Sequence, residues 1–182
     1  MLTRRQLLRT ASATLLGAIV APSVAGATTR RPTGGRPRSL ELFALHTGER
    51  LETTYWSDGA YLAPALDEIN YLLRDHRANE IKAIDVNLLD LLERLHRELG
   101  SREPFHIISG YRTAATNAML QARSEGVARH SLHVEGMAAD IRVPGRSLAV
   151  LRRAATSLQG GGVGYYPRSD FVHVDVGRVR YW

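Results

Sequence analysis

The chain has 182 residues, which is enough for one domain of ordinary size with its own hydrophobic core. Its 44% hydrophobic and 23% charged residues are typical of a globular protein and exclude a disordered or fibrous chain. The absence of cysteine excludes disulfide bonds and thiolate metal sites, so any metal ion must be bound by His, Asp or Glu.

The N-terminal segment 1–27 has the layout of a secretory signal peptide: a basic start, an apolar stretch over 11–21 and a small-residue end. The pair Arg4-Arg5 resembles the twin-arginine export signal, so we expect export to the periplasm. An uncleaved membrane anchor or an amphipathic helix is the alternative. Cleavage removes three arginines and no acid, which lowers the net charge from +6 to +3. Such a small charge is weak evidence for nucleic-acid binding, and we expect no stable membrane anchor after cleavage.

Residues 28–39 are rich in Pro, Gly and Arg and are predicted to form a flexible linker, so that the folded domain spans 40–182. The first part of this domain has two semi-alternating apolar runs, which predict a β-hairpin that turns near Gly48. His46 lies beside the turn, a position more typical of a solvated or hydrogen-bonded histidine than of a metal ligand.

Two amphipathic helices are predicted next. The first spans 64–76, where apolar residues recur at helical spacing after Pro64. The second begins after Asp85, whose side chain can cap it, and ends at Gly100. Its leucine stripe runs for less than two heptads beyond the cap, so it predicts a helix that faces the core rather than a coiled coil.

The second half of the chain alternates short strands with short helices. We predict strands over 105–109, over 137–143, after the glycine-rich 159–167 and over 171–176, with helices over 113–122, capped by Thr113, and from the cap Ser147 to about Ser157. Because helices prevail early and strands late, we expect an α+β fold with a small, mostly antiparallel sheet that carries the functional site and packs against helices.

Two segments set histidine and aspartate among apolar residues, 131-SLHVEGMAADIRV-143 and 171-FVHVDVG-177. A buried charge in such a run is costly unless something pairs with it, and no cation in the sequence obviously neutralises Asp140. His133, Asp140 and His173 together offer two nitrogens and one oxygen, a donor set that suits catalytic zinc with an open fourth position. Structural ion pairs are the alternative interpretation.

The motifs resemble those of the D-alanyl-D-alanine peptidase and hedgehog-type superfamily. Ser131-x-His133-x-x-Gly136-x-Ala138-x-Asp140 resembles its first zinc motif. Five further segments follow the order of its murein endopeptidase branch, the MepK proteins: Tyr55-Trp56, Arg74-Asp75-His76-Arg77, Ser109-Gly110-Tyr111-Arg112-Thr113, Gly161-Gly162-Val163-Gly164-Tyr165-Tyr166-Pro167 and Phe171-Val172-His173-Val174-Asp175. The resemblance extends from about Leu40 to Trp182.

The resemblance implies that His133, Asp140 and His173 bind one zinc ion. It further implies an endopeptidase in which a zinc-bound water attacks an amide bond in the peptide crosslinks of peptidoglycan. The alternative is a non-catalytic module that binds zinc or the cell wall. A monomer is expected, and the export signal argues against a nucleic-acid partner.

Other site residues also follow from the resemblance. Arg112 matches the position beside the scissile carbonyl, where a guanidinium can stabilise an oxyanion. Ser131 is expected to hydrogen-bond the loop or a ligand, and Tyr111 to line the substrate groove. Many relatives carry a glutamate as general base three residues before the last zinc histidine, where this chain has Asp170. Asp175, on the same strand face as that histidine, is the favoured base, although it could instead orient the histidine.

Overall fold

The computed structural model describes residues 35–123, 128 and 130–182. The predicted signal peptide and residues 28–34 of the predicted linker lie outside these residues. The first strand begins at Arg38, inside the last residues of that linker and slightly before the predicted start of the domain at residue 40.

The described residues form eight strands and four α-helices. They are β1 (Arg38–Ala44), β2 (Arg50–Ser57), β3 (Ala60–Tyr61), α1 (Ala63–Leu72), α2 (Val86–Leu99), β4 (Phe105–Ser109), α3 (Ala114–Gln121), β5 (Ala138–Arg142), α4 (Leu148–Ser157), β6 (Gly162–Tyr166), a 3-10 turn (Pro167–Ser169), β7 (Phe171–Asp175) and β8 (Arg180–Tyr181). None of the described helices is both long enough and apolar enough to cross a membrane.

The local signals in the sequence produce most of these elements. The side chain of Asp85 accepts a hydrogen bond from the N–H of Asn87 at the start of α2, and Gly100 ends that helix in the left-handed conformation. Thr113 and Ser147 cap α3 and α4 in the same way. The predicted hairpin is also confirmed, since β1 and β2 pair antiparallel on either side of Gly48.

The α+β class is confirmed, but the sheet is larger than expected and is mixed. Its strand order is β3-β2-β1-β4-β5-β7-β6-β8. Five of its seven pairings are antiparallel, and two are parallel, β1 with β4 and β6 with β8. The short edge strands β3 and β8 carry too few residues to give a periodic signal, and the pairing of β1 with β4 joins segments far apart in the chain.

The hydrophobic core lies on one face of the sheet, where α2 and α4 pack. Alternate residues of β5 and β7, Ala139, Ile141, Val172 and Val174, are buried in this core together with the leucines of α2. The intervening residues point to the other face. The sheet thereby separates an apolar side, which stabilises the domain, from a side that carries ionisable groups.

Candidate active site

The three residues predicted as metal ligands converge on the face of the sheet opposite the core. His133 Nε2 lies 3.2 Å from His173 Nδ1 and 3.2 Å from Asp140 Oδ1, and these last two atoms are 2.9 Å apart. All three side chains are buried, with at most 8% of each residue exposed. They form the one group of at least three His, Cys, Asp or Glu side chains in the described residues that can hold a metal ion.

Strand pairing places two of these ligands side by side. Asp140 on β5 is directly paired with His173 on β7, so both side chains leave the same face of adjacent strands. On the opposite side of β5, Ser109 at the end of β4 pairs with Asp140. The sheet register therefore sets the distance between ligands that are 33 residues apart in the chain.

The third ligand, His133, comes from the loop before β5. Its Nδ1 donates to the carbonyl oxygen of Gly110 at 2.7 Å, and its own carbonyl accepts from the N–H of Arg112 at 3.2 Å. Gly136 allows the loop to return to the strand, because its φ is +72° and an added Cβ would lie 2.7 Å from the carbonyl oxygen of Ala83.

The hydrogen bonds fix the tautomers that metal binding requires. A carbonyl oxygen can only accept, so His133 carries its proton on Nδ1 and its Nε2 lone pair faces the cluster. His173 Nε2 donates to Asp175 Oδ2 at 2.9 Å, which leaves the Nδ1 lone pair facing the cluster. Tetrahedral zinc with ligands at about 2.0–2.1 Å needs donor atoms roughly 3.3 Å apart. The donor set and its spacing therefore fit zinc.

The electrostatics of the cluster favour a bound cation. Burial lowers the pKa of His133, which keeps this imidazole neutral. Burial also acts to lower the pKa of His173, but Asp140 and Asp175 outweigh it and raise this pKa. The pKa of Asp140 is lowered despite its burial, mainly because of the two histidines and Arg112. The carboxylates thus create a negative potential at the ligand atoms, and a metal cation is stabilised by the same potential.

Arg112 forms an ion pair with Asp140 that the sequence alone did not reveal. Its Nη2 contacts Asp140 Oδ2, the carboxylate oxygen that does not face the histidines, and its Nε donates to Ser109 Oγ at 2.7 Å. The expectation that Asp140 lacks a neutralising cation is therefore wrong. Sequence could not show the pair because the two residues are 28 positions apart. Arg112 also lines the cavity described below, next to the ligands.

Asp175 lies behind His173 rather than in front of the ligand atoms. It is fully buried, and its carboxylate accepts hydrogen bonds from His173 Nε2, from the N–H groups of Gly162 and Gly177, and from Arg180. Burial acts to raise the pKa of Asp175, but these donors outweigh it and lower this pKa. The geometry is that of a carboxylate that orients a ligand imidazole.

Asp170, the other predicted base, occupies an exposed left-handed turn after the 3-10 segment. Its carboxylate pairs with Arg142, on the strand that carries Asp140. Neither Asp170 nor Asp175 lines the cavity. Among the described residues that line it, Asp140 is the only one with a carboxylate side chain.

A cavity of about 360 Å³ opens over the ligand cluster. The described residues that line it are His46, Arg77, Ile108, Ser109, Arg112, Leu120, Ala128, His130, Ser131, Leu132, His133, Asp140, Tyr166, Ser169, Phe171, His173, Arg180 and Trp182. Buried donor atoms at the floor of an open cleft are the arrangement of a catalytic metal site rather than of a closed structural one.

Comparison with known proteins places this arrangement in a family. Residues 32–182 match the family described as "Peptidoglycan L,D-endopeptidase MepK". The chain belongs to this family. Among its relatives, the peptidoglycan L,D-endopeptidase MepK of Escherichia coli (strain K12) is 48% identical over 167 residues, or 92% of this chain and 90% of that protein. The MepK of Shigella flexneri matches equally, and the probable MepK of Haemophilus influenzae is 41% identical over 81% of this chain and 80% of its own length.

Ser131 and Tyr111 were also predicted as site residues, and the structure of this MepK family member places them differently. Ser131 lines the cavity, and its role toward the loop or a ligand stays a prediction. Tyr111 does not line it: the half-buried ring packs against the core, and Lys82 Nζ lies 5.7 Å from the ring centroid. The Tyr111 N–H donates to the carbonyl of Leu73, which follows α1. Tyr111 is thus not among the described residues that line this cavity, and its role in substrate binding stays a prediction.

Sequence reasoning missed the contribution of the C-terminal segment. Trp182 packs on His173, with ring centroids 5.4 Å apart, and its Nε1 donates to the Tyr166 hydroxyl at 2.7 Å. Gly164 of β6 accommodates the indole, because a Cβ there would lie 2.7 Å from the Trp182 ring. Gly162 in the same strand makes room for Asp175, whose Oδ2 would lie 2.4 Å from an added Cβ. The GGVG motif was the available signal, because closely spaced glycines in a strand indicate close approach by another group.

Proposed function

We propose that this protein is a zinc-dependent peptidoglycan L,D-endopeptidase that hydrolyses amide bonds in peptide crosslinks. The observation that carries the proposal is the ligand cluster in a member of this family: two imidazole nitrogens and one carboxylate oxygen lie at tetrahedral spacing beneath an open cavity. When bound there, zinc supplies Lewis acidity, which polarises a carbonyl and makes water nucleophilic near neutral pH.

The residues around the ligands have separate roles in this proposal. Gly110 and Asp175 hold the two imidazoles in the metal-binding tautomers, through His133 Nδ1–H and His173 Nε2–H. We assign to Asp175 this orienting role in place of general base. The buried hydrogen bonds keep the ligands preorganised, so little reorganisation is needed during the reaction.

Arg112 is proposed to act on the substrate carbonyl. Its Nη2 and Nε are engaged by Asp140 and Ser109, which fixes the guanidinium plane at the edge of the cavity. Nη1 is the nitrogen of this guanidinium for which the described residues supply no hydrogen-bond acceptor. A donor fixed in this way can stabilise the oxyanion that forms when the amide carbon is attacked.

One observation favours a second candidate, a zinc-binding module that recognises the cell wall without cleaving it. Within the described residues, Asp140 has the one carboxylate side chain at the cavity, and Arg112 pairs with it. An active enzyme would then move the proton through a side chain such as His46, His130 or Tyr166, which also line the cavity, or through solvent.

Digestion of purified crosslinked muropeptides, followed by mass analysis, distinguishes these functions. The zinc-loaded protein is expected to release products of L,D-bond cleavage, and a chelator is expected to stop this release. His133→Ala should abolish cleavage, whereas His96→Ala on α2, outside the cavity, should not. Binding of muropeptides without any product would instead support the cell-wall binding module.

We further propose that the protein acts in the periplasm after export by the twin-arginine route, as the layout of residues 1–27 indicates. Replacing both Arg4 and Arg5 by Lys should leave the full-length precursor in the cytoplasm. Normal appearance of the protein in a periplasmic fraction, despite these substitutions, would exclude this route.

A further inference from the structure

The cavity over the ligand cluster is rich in cationic residues. Arg77, Arg112 and Arg180 line it, whereas Asp140 is the one acidic residue among the described residues of its wall. Two of these arginines are already paired. Arg112 contacts Asp140, and Arg180 contacts Asp175 at 2.8 Å.

Arg77 differs from the other two arginines. It is exposed, it lies in the loop after α1, and within the described residues its guanidinium has neither an ion-pair partner nor a hydrogen-bond acceptor. A guanidinium with five donors that faces a cleft is suited to bind a carboxylate through two parallel hydrogen bonds. Among the described residues, the wall thus presents an unpaired cation in the same cavity as the metal ligands.

The buried carboxylate of Asp75 connects the backbone at Arg77 to the backbone next to Arg112. Asp75 is 1% exposed, and its Oδ1 accepts from the N–H of Arg77 at 3.0 Å. Its Oδ2 accepts from the N–H of Thr113 at 2.8 Å and from the Thr113 hydroxyl at 3.0 Å. Because Thr113 follows Arg112 directly, one carboxylate fixes the backbone at both arginines.

We infer that Arg77 binds a free carboxylate of the peptide crosslink and thereby determines which crosslinks are accepted. This inference rests on the proposed endopeptidase function. The diamino acids joined in peptidoglycan crosslinks carry a carboxylate close to the amide bond, and the glutamyl residue of the stem peptide carries another. Amidation of either one removes its charge, so that Arg77 loses an anionic partner.

The experiment compares crosslinked muropeptides that contain diaminopimelate with all carboxylates free, with the diaminopimelate carboxylate amidated, or with the glutamyl carboxylate amidated. The kcat and KM of the zinc-loaded protein are measured on each. Titration calorimetry also measures the Kd for the corresponding cleavage products, which bind without turnover. The variants are Arg77→Gln, Arg77→Lys and the matched control Arg153→Gln, which removes an exposed arginine from α4 outside the cavity.

The wild type should prefer the free form over one amidated form by about tenfold in KM and in product Kd. Arg77→Gln should abolish this preference with kcat changed by less than about threefold, because a ground-state contact is removed. Arg77→Lys should keep part of the preference, and Arg153→Gln all of it. The amidated form that is disfavoured identifies which carboxylate is bound.

Equal KM and product Kd for all three forms in the wild type would overturn the inference, as would an undiminished preference in Arg77→Gln. Failure of the proposed function gives a different result. In that case no muropeptide is cleaved, while the product Kd values still reveal whether binding depends on the carboxylate and on Arg77.

Discussion

His173 Nε2 donates a hydrogen bond to Asp175 Oδ2 at 2.9 Å, and both residues leave the same face of β7. This contact turns the Nδ1 lone pair of His173 toward Asp140 and His133. It also occupies the carboxylate that sequence reasoning favoured as the base. Outer carboxylates of this kind orient metal-binding imidazoles and raise their basicity.

Replacing Asp175 by Asn should weaken zinc binding by about 10- to 100-fold, because a neutral amide accepts from His173 Nε2–H more weakly than the carboxylate and does not raise the basicity of the imidazole. Activity should recover substantially when zinc is raised to saturation. Zinc affinity by competition with a chromophoric chelator, together with kcat at saturating zinc, tests this. Unchanged zinc affinity with an abolished kcat would make Asp175 the base after all. Asp170→Asn is the control, since this exposed residue pairs with Arg142 outside the cavity and should retain near wild-type activity.

Zinc removal should lower the thermal stability of the domain, because the ion binds a cluster that exists only in the folded state. At a free zinc concentration 100 times the Kd, binding stabilises the folded state by about 2.7 kcal/mol, or roughly 5–10 °C in Tm for a chain of this size. Calorimetric scans with zinc and with a chelator measure this difference. His133→Ala should show no such difference, and an identical Tm of the wild type in both conditions would contradict the assignment of the ligands.

Asp75 should make the protein sensitive to acid. Burial acts to raise the pKa of this carboxyl, but hydrogen bonds from Thr116, Thr113 and Arg77 outweigh it and lower the pKa from 3.8 to about 2. A depressed folded-state pKa means that its contribution, about 2 kcal/mol, is present above pH 4 and is lost as the pH falls toward 2.

The test compares urea unfolding of the wild type and of Asp75→Asn at several pH values. The difference in unfolding free energy between them should be largest at neutral pH and should shrink below pH 4. Asp67→Asn, a change of the same kind on the exposed side of α1, should lower the stability little at any pH. A difference for Asp75→Asn that does not depend on pH would refute the role of this ionised carboxylate.

Gly164→Ala should displace Trp182 from His173, because the new Cβ would lie 2.7–2.8 Å from three atoms of the indole. We expect a loss of about 1 kcal/mol in stability and a change in tryptophan fluorescence. The cost should largely vanish in a Trp182→Ala background, which a double-mutant cycle on urea unfolding measures. Equal costs in both backgrounds would show that the indole does not constrain position 164.

Prediction from sequence succeeded where the signals are local. The caps Asp85, Thr113 and Ser147 and the turn at Gly48 depend on hydrogen bonds and backbone angles within a few residues. It was less accurate for the sheet. The parallel pairing of β1 with β4 depends on packing between segments about 60 residues apart, which periodicity cannot encode.

The same division holds for the site. The sequence by itself determined the candidate metal ligands, because buried histidine and aspartate in apolar runs need a partner and cysteine is absent. Only the tertiary structure decided how their neighbours act: that Arg112 neutralises Asp140, that Asp175 faces away from the cavity and that the half-buried Tyr111 packs against the core. The physical reason is that a side chain's identity sets the chemistry it can perform, whereas strand register and loop conformation set which atoms it meets.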